Sequence, residues 1–163
     1  MKQFDIDVSG QDLLNKDYSI CVADNNESIR GFKFNAELVQ ILSSRYGQGF
    51  YRYKKSKKGK ADFKIRLYCI VLYHLFKSLK ISGIISLNIC RDFLGREEDI
   101  RKSLMYFLEN KLNLDLRDRI YFCKLSKDSN AHKYSFLMRE DRKNKMSIYI
   151  DINIGDFEAW LKK

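Results

Sequence analysis

Three aspartates, Asp24, Asp92 and Asp128, each stand shortly past an apolar run of strand length. Tyr18–Ala23 precedes the first, Ile84–Cys90 the second and Ile120–Leu125 the third. Taken singly, such residues end strands and cap helices as a matter of routine. Brought to one sheet edge they would do more. Clustered carboxylates repel one another unless a cation neutralises them, and hard oxygen ligands suit Mg²⁺ or Mn²⁺. Two such ions about 4 Å apart activate water and stabilise a leaving oxygen, which is the chemistry of phosphodiester hydrolysis. Glu27 and Asp99 are the candidate fourth ligands.

Positioning these groups requires particular elements. Between the second and third apolar runs, Arg96–Leu112 carries Ile100, Leu104, Phe107, Leu108 and Leu112 at helical spacing. Strand, helix and strand in that order make a parallel crossover, whose ligands bind beyond the carboxyl ends of the strands. If the Tyr18 strand runs parallel to the other two, all three aspartates share one edge. The remaining segments fill in an α/β domain. Residues 1–17 read as an N-terminal arm or short helix, and Tyr18–Ala23 and Ser28–Phe34 as a hairpin turning through Asp24–Glu27. Asn35 is placed to cap a helix over Ala36–Tyr46, ended by Gly47.

From Ala61 to Leu79 the chain is apolar on almost every side, so this helix must be largely covered, and His74 within it reads as a packed core histidine. Tyr134–Arg139 and Met146–Ile154 flank a charged loop and predict a C-terminal β-hairpin. In the second of these, Met146, Ile148, Ile150, Ile152 and Ile154 alternate with polar residues. A short amphipathic helix with Phe157, Trp160 and Leu161 closes the chain. The expectation is one domain over 1–163 with a mixed sheet and helices on its faces. Its core spans 18–130, and the hairpin and short helix occupy 131–163.

The chain has 163 residues, 31 Lys and Arg against 21 Asp and Glu, and a formal net charge of +10. An excess of that size favours a polyanionic partner, nucleic acid first. No acidic residue occurs between Glu37 and Asp62. Within that window Arg52, Tyr53, Lys54, Lys55, Lys57, Lys58 and Lys60 combine cations with an aromatic ring, a pattern suited to phosphate contacts flanked by stacking. The plain alternative is a solvated, self-repelling loop. Cys21, Cys69, Cys90 and Cys123 form no Cys-x-x-Cys pair and read as buried free thiols, consistent with a reducing, cytoplasmic compartment. No uncharged run approaches the ~18–20 residues that span a bilayer, so no membrane partner is expected. Glycine-rich phosphate loops, His-Glu-x-x-His and paired-cysteine zinc spacings do not occur.

The order of hairpin, helices, strand with terminal aspartate, helix and strand with a polar end resembles the ribonuclease H-like superfamily of nucleases. The resemblance rests on Val22-Ala23-Asp24, Asn88-Ile89-Cys90-Arg91-Asp92 and Ser126-Lys127-Asp128-Ser129, spans residues 18–130 and is topological. It implies that Asp24, Asp92 and Asp128 hold two Mg²⁺ ions for nucleic-acid cleavage. Two departures accompany it. A helix follows Phe34 where a third strand would come, and a hairpin takes the place of the usual last helix. The expected activity is a metal-dependent nuclease acting on DNA or RNA. The alternatives are a non-catalytic nucleic-acid-binding protein and an assembly protein whose charge keeps it in solution.

Overall fold

The computed structural model describes residues 1–162. Its elements in order are β1 (Lys2–Ser9), β2 (Ser19–Ala23), β3 (Ile29–Lys33), α1 (Ala36–Gly47), α2 (Lys57–Leu79), β4 (Gly83–Cys90), α3 (Glu97–Leu104), a π-helical turn (Met105–Lys111), β5 (Leu114–Asp115), β6 (Ile120–Cys123), α4 (Asn130–Glu140) and α5 (Ile154–Glu158). One mixed sheet runs in the order β3-β2-β1-β4, with β5 and β6 both pairing to β4. β1, β4 and β6 are parallel, β2 runs antiparallel beside β1, and β3 runs antiparallel beside β2 at the edge. The expected α/β domain is therefore present, and so is the crossover from β4 through α3 to β6.

Two expectations are corrected at the ends of the chain. Residues 1–17 are no arm, because Lys2–Ser9 is the central strand. Its residues alternate: Phe4 and Ile6 face one side of the sheet, and Asp5 and Asp7 face the other. The expected C-terminal hairpin is also absent among the described residues. Residues 134–139 lie inside helix α4, and 146–152 is irregular, with a turn at Ser147–Ile148 and a single bridge to β3, from Gly31 to Tyr149. Ala131, Ser135 and Met138 are the buried residues of α4, at i, i+4 and i+7, so a helical stripe was present in a stretch that also reads as β-rich.

The sheet has two unlike faces, and this decides where the helices go. On one face Phe4, Ile6, Ile20, Val22, Phe32, Ile85, Leu87, Ile89 and Ile120 are all buried and apolar. The greasy helix α2 covers this face, with Phe76 edge-on to Phe4 at 5.4 Å between ring centroids. The other face presents Asp5, Asp7, Ser19, Cys21, Ser86, Asn88 and Cys90, small or polar residues that an apolar helix could not cover without stranding hydrogen-bonding groups. The short helix α4 lies here. At Gly31 a Cβ would come within 2.6 Å of the Met138 methyl, so glycine is what lets α4 approach the sheet.

The basic stretch divides in two. Lys57, Lys58 and Lys60 belong to the first turns of α2, capped by the Ser56 side chain, which accepts from the Gly59 amide at 2.9 Å. Residues 49–55 form the loop before it, pinned by aromatic packing. Phe63 lies 4.8 Å from the ring of Tyr46, 5.5 Å from Tyr51 and 5.8 Å from Tyr53. Because α2 joins β4 through only three residues, its carboxyl end sits near the start of β4 and its basic end projects toward the carboxyl ends of β1 and β4. The ion pair of Lys64 with Asp12 (2.8 Å) and that of Asp62 with Arg96 fasten it there. Among the described residues no helix is long and apolar enough to cross a membrane.

Removing the ring of Phe63 tests whether this packing orders the basic loop. Phe63→Ala should cost about 3–5 kcal/mol, the usual range for a buried phenylalanine. That corresponds to a drop of roughly 10 °C in melting temperature. Trypsin should also gain access to Arg52, Lys54 and Lys55 well below the global transition. A variant that melts normally and stays resistant at those bonds would show that the loop is ordered by something else.

Candidate active site

The carboxyl ends of β1 and β4 bring Asp7, Cys90 and Asp92 together. One ligand atom from each lies within 4.8 Å of the other two. Asp7 pairs in register with Cys21 on β2, and the step after the Ile6–Ile89 pair carries it to Cys90. Its side chain is thus on the polar face, under α4. Asp92 follows two residues beyond the end of β4.

Asp7 is buried, at 6% of its full exposure, and it is met by donors on several sides. The Val8 amide donates to Oδ1 at 2.8 Å. At Oδ2, His132 Nδ1 lies at 3.1 Å and the Ser135 hydroxyl donates at 3.3 Å. Since a carboxylate only accepts, the proton of this contact belongs to Nδ1, which leaves Nε2 of His132 for other work. Ser135 and His132 share the α4 face that packs on β1. Two residues earlier on β1, Asp5 accepts from Asn88 Nδ2 (3.1 Å) and from the Ser129 hydroxyl (2.8 Å), which ties the start of α4 to the sheet.

The two site carboxylates interfere with each other. The Asp92 carboxyl is pushed up to about 6, by burial first and by the charge of Asp7 second, against a lowering contribution from the Cys90 thiol donating to it. Cys90 itself is pushed up to about 12 by burial and then by Asp92 and Asp7. It therefore stays a protonated thiol at neutral pH. The oxygen pair of Asp7 and Asp92 remains as the ligand set, one that fits a hard divalent cation better than a thiolate-seeking metal. Beside it opens a cleft of about 360 Å³ whose walls include Asp7, Cys90, His132, Lys124, Lys127 and Phe136. Two lysines and an exposed phenylalanine thus flank the acidic end.

Of the residues expected to form the site, Asp92 is in it and Asp24 and Asp128 are outside it. Because β2 runs antiparallel to β1, its carboxyl end lies at the opposite end of the sheet. There Asp24 Oδ1 accepts from the amides of Asn26 (2.9 Å) and Ser28 (3.1 Å), the work of a turn residue. Asp128 is exposed in the turn that leads into α4, with its amide donating to the Ser126 hydroxyl (3.2 Å). Two residues on, Asn130 donates to the carbonyls of Asp24 and Asn26, and Asp128 is not among the groups gathered around Asp7. Glu27 is exposed in the β2–β3 turn and Asp99 is paired with Arg96 at 2.7 Å. Neither approaches Asp7 and Asp92 as a ligand. His74 is the core histidine expected, half-buried in α2 with its pKa lowered, chiefly by burial.

Asp7 and His132 were missed. The signal for Asp7 was the alternation Phe4-Asp5-Ile6-Asp7-Val8, a half-buried strand with both carboxylates on one face. His132 carried no signal of its own until α4 was known to be a helix. Comparison with families of known proteins, with curated proteins and with solved structures finds no match to this chain.

The repulsion between Asp7 and Asp92 has a measurable sign. The folded-state value for Asp92 lies above that of an unfolded aspartate, so its protonated form favours folding below about pH 4. That stabilisation is lost as pH rises through about 6. The Asp92 carboxyl is partly desolvated beside Asp7 and Cys90 while the residue as a whole is open to solvent, so screening reduces the effect to on the order of 1 kcal/mol. In EDTA at pH 7, Asp92→Asn should melt roughly 2–4 °C above the wild type, with the two converging near pH 4. A variant that melts at or below the wild type at pH 7 would mean that the carboxylates do not strain each other.

Proposed function

We propose that this chain is a metal-dependent nuclease whose site is Asp7 and Asp92, with His132 beside them. The observation that carries the reading is the convergence of two carboxylates at the carboxyl ends of adjacent parallel strands, next to a lysine-flanked cleft. Mg²⁺ or Mn²⁺ held by Asp7 and Asp92 would supply an activated water and neutralise charge on the phosphate. The chain's own residues do the rest. Asp7 is oriented by His132, Ser135 and its neighbouring backbone amide. His132, with Nδ1 committed to Asp7, offers Nε2 to exchange a proton with the reacting water or the leaving oxygen. Lys124 and Lys127 attract the phosphate backbone, and the basic start of α2 extends positive charge on the same end of the sheet.

Two features bring the chain nearer to the ribonuclease H-like order. With β1 as first strand, β2 and β3 become second and third, and helix α4 stands where a hairpin was expected. Both features support the resemblance. The four free cysteines suit the cytoplasm, where a nuclease meets its substrate. A second reading, a nucleic-acid-binding protein without cleavage, draws on a different observation. Only two carboxylates converge among the described residues, where three were expected.

Cleavage of single- and double-stranded DNA and RNA with Mg²⁺ and with Mn²⁺ separates the two. The wild type should cut at least one substrate. Asp7→Asn and Asp92→Asn should each lower the rate by orders of magnitude, because both ligands are needed to hold the ion. His132→Ala should lower it by about 10²–10⁴, the usual contribution of a general acid or base. Asp24→Asn and Asp128→Asn should leave it unchanged. If no substrate is cut with either ion, or if Asp92→Asn cuts as well as wild type, the nuclease reading fails and the binding protein takes its place.

A further inference from the structure

A second pocket, of about 470 Å³, lies between the start of α2 and the start of α3. Its wall carries four cations, Arg52, Lys58, Arg66 and Arg96, and two carboxylates, Asp62 and Asp99. Both carboxylates are taken by Arg96. Arg52, Lys58 and Arg66 make no ion pair among the described residues. Arg66 is the unusual member. It is partly buried, its guanidinium lies 4.7 Å from the centroid of the Phe107 ring, and its Nε donates to the Trp160 carbonyl at 3.3 Å. Burial is the main influence on it and lowers its pKa, yet an arginine does not give up its proton. A fixed, partly desolvated charge without a counter-charge is costly, and an incoming anion removes that cost.

We propose that this pocket anchors a phosphate of a nucleic-acid strand, gripped by Arg66 with Arg52 and Lys58 closing around it. A guanidinium presents paired N–H donors that match two phosphate oxygens, which suits Arg66 to a phosphodiester better than a lysine would be. Arg52 lies over the ring of Tyr53 at 5.4 Å, so its guanidinium is displayed in a set orientation. The position fits a strand that continues from the candidate active site. Arg96 is four residues beyond Asp92, a separation of no more than about 14 Å along an extended chain. From the reading above, the proposal takes only that the partner is a nucleic acid. It holds whether or not the strand is cut.

The test is made in EDTA, where binding is read without cleavage. A short fluorescent single-stranded oligonucleotide is titrated with wild type, Arg66→Gln, Arg52→Gln and, at the far end of α2, Lys80→Gln over a range of NaCl concentrations. Arg66→Gln and Arg52→Gln should each weaken binding about tenfold and reduce the log–log salt slope by about 0.7–0.9, while Lys80→Gln changes neither. Should Arg66→Gln fold poorly after losing its contacts to Phe107 and Trp160, the exposed Arg52 keeps the test alive. The wild-type arginine Nε–Hε signals also report directly. Oligonucleotide should shift those of Arg66 and Arg52. Wild type that does not bind, slopes unchanged in both arginine variants, or arginine signals that respond to inorganic phosphate but not to oligonucleotide would each overturn the proposal. Failure of cleavage with Mn²⁺ alone would not, because this binding is read without metal.

Discussion

A buried carboxylate on a central strand is the constraint around which the polar half of this molecule is arranged. Asp7 cannot stay charged beneath a helix unless its oxygens are met by donors. Three groups supply them: the Val8 amide, the Ser135 hydroxyl and the ring of His132. The helix that supplies two of these, α4, is short and carries only three buried side chains. Its attachment to the sheet therefore depends on polar contacts as much as on apolar ones, with Ser129 on Asp5 adding a second tie. The same contacts that satisfy Asp7 shape the cleft beside it.

The opposite face makes this possible. Stability comes from α2 against an unbroken apolar surface, where Phe4, Ile6, Leu87 and Ile89 are almost wholly excluded from water. That core leaves the polar face free to hold groups that work against stability: two carboxylates close together, one of them pushed up to about 6. Proteins commonly keep such strain only where it serves binding or catalysis. Asp92 lies off the end of β4 in a loop, while Asp7 is fixed within β1. One carboxylate is thus held by the sheet and the other by a loop beyond its edge.

Much of the middle of the chain was legible in the sequence. The periodicities of Ile84–Cys90, Arg96–Leu112 and Ile120–Leu125 gave a strand, helix and strand that do form a parallel crossover, and Asn35 does cap α1, accepting from the Leu38 amide at 2.8 Å. The ends were read less well, for two physical reasons. Phe4-Asp5-Ile6-Asp7-Val8 carries a strand pattern of only five residues, and two aspartates disfavour a strand by propensity alone. Packing against β2 and β4 on both sides overrides that preference. In Tyr134–Arg139 the aromatic and apolar residues suggested β structure, although Phe136 and Leu137 are exposed and the buried stripe is Ala131, Ser135 and Met138.

The misplacement of Asp24 followed from the first of these errors. A strand's direction cannot be read from its own residues; it is fixed by which neighbour it pairs with and how the chain returns. Once β1 occupies the centre, the connection through residues 10–18 is shorter than a crossover needs, so β2 pairs antiparallel and Asp24 goes to the opposite end from Asp92. The aspartate that replaces it at the carboxyl edge is Asp7, one register step from Cys90. Of the three aspartates expected at one sheet edge only Asp92 is there, joined by Asp7, while Asp24 and Asp128 lie elsewhere. What brings Asp7 and Asp92 together is the topology of the strand that carries Asp7, since β1 and β4 are adjacent and parallel and place both carboxylates at the same edge of the sheet.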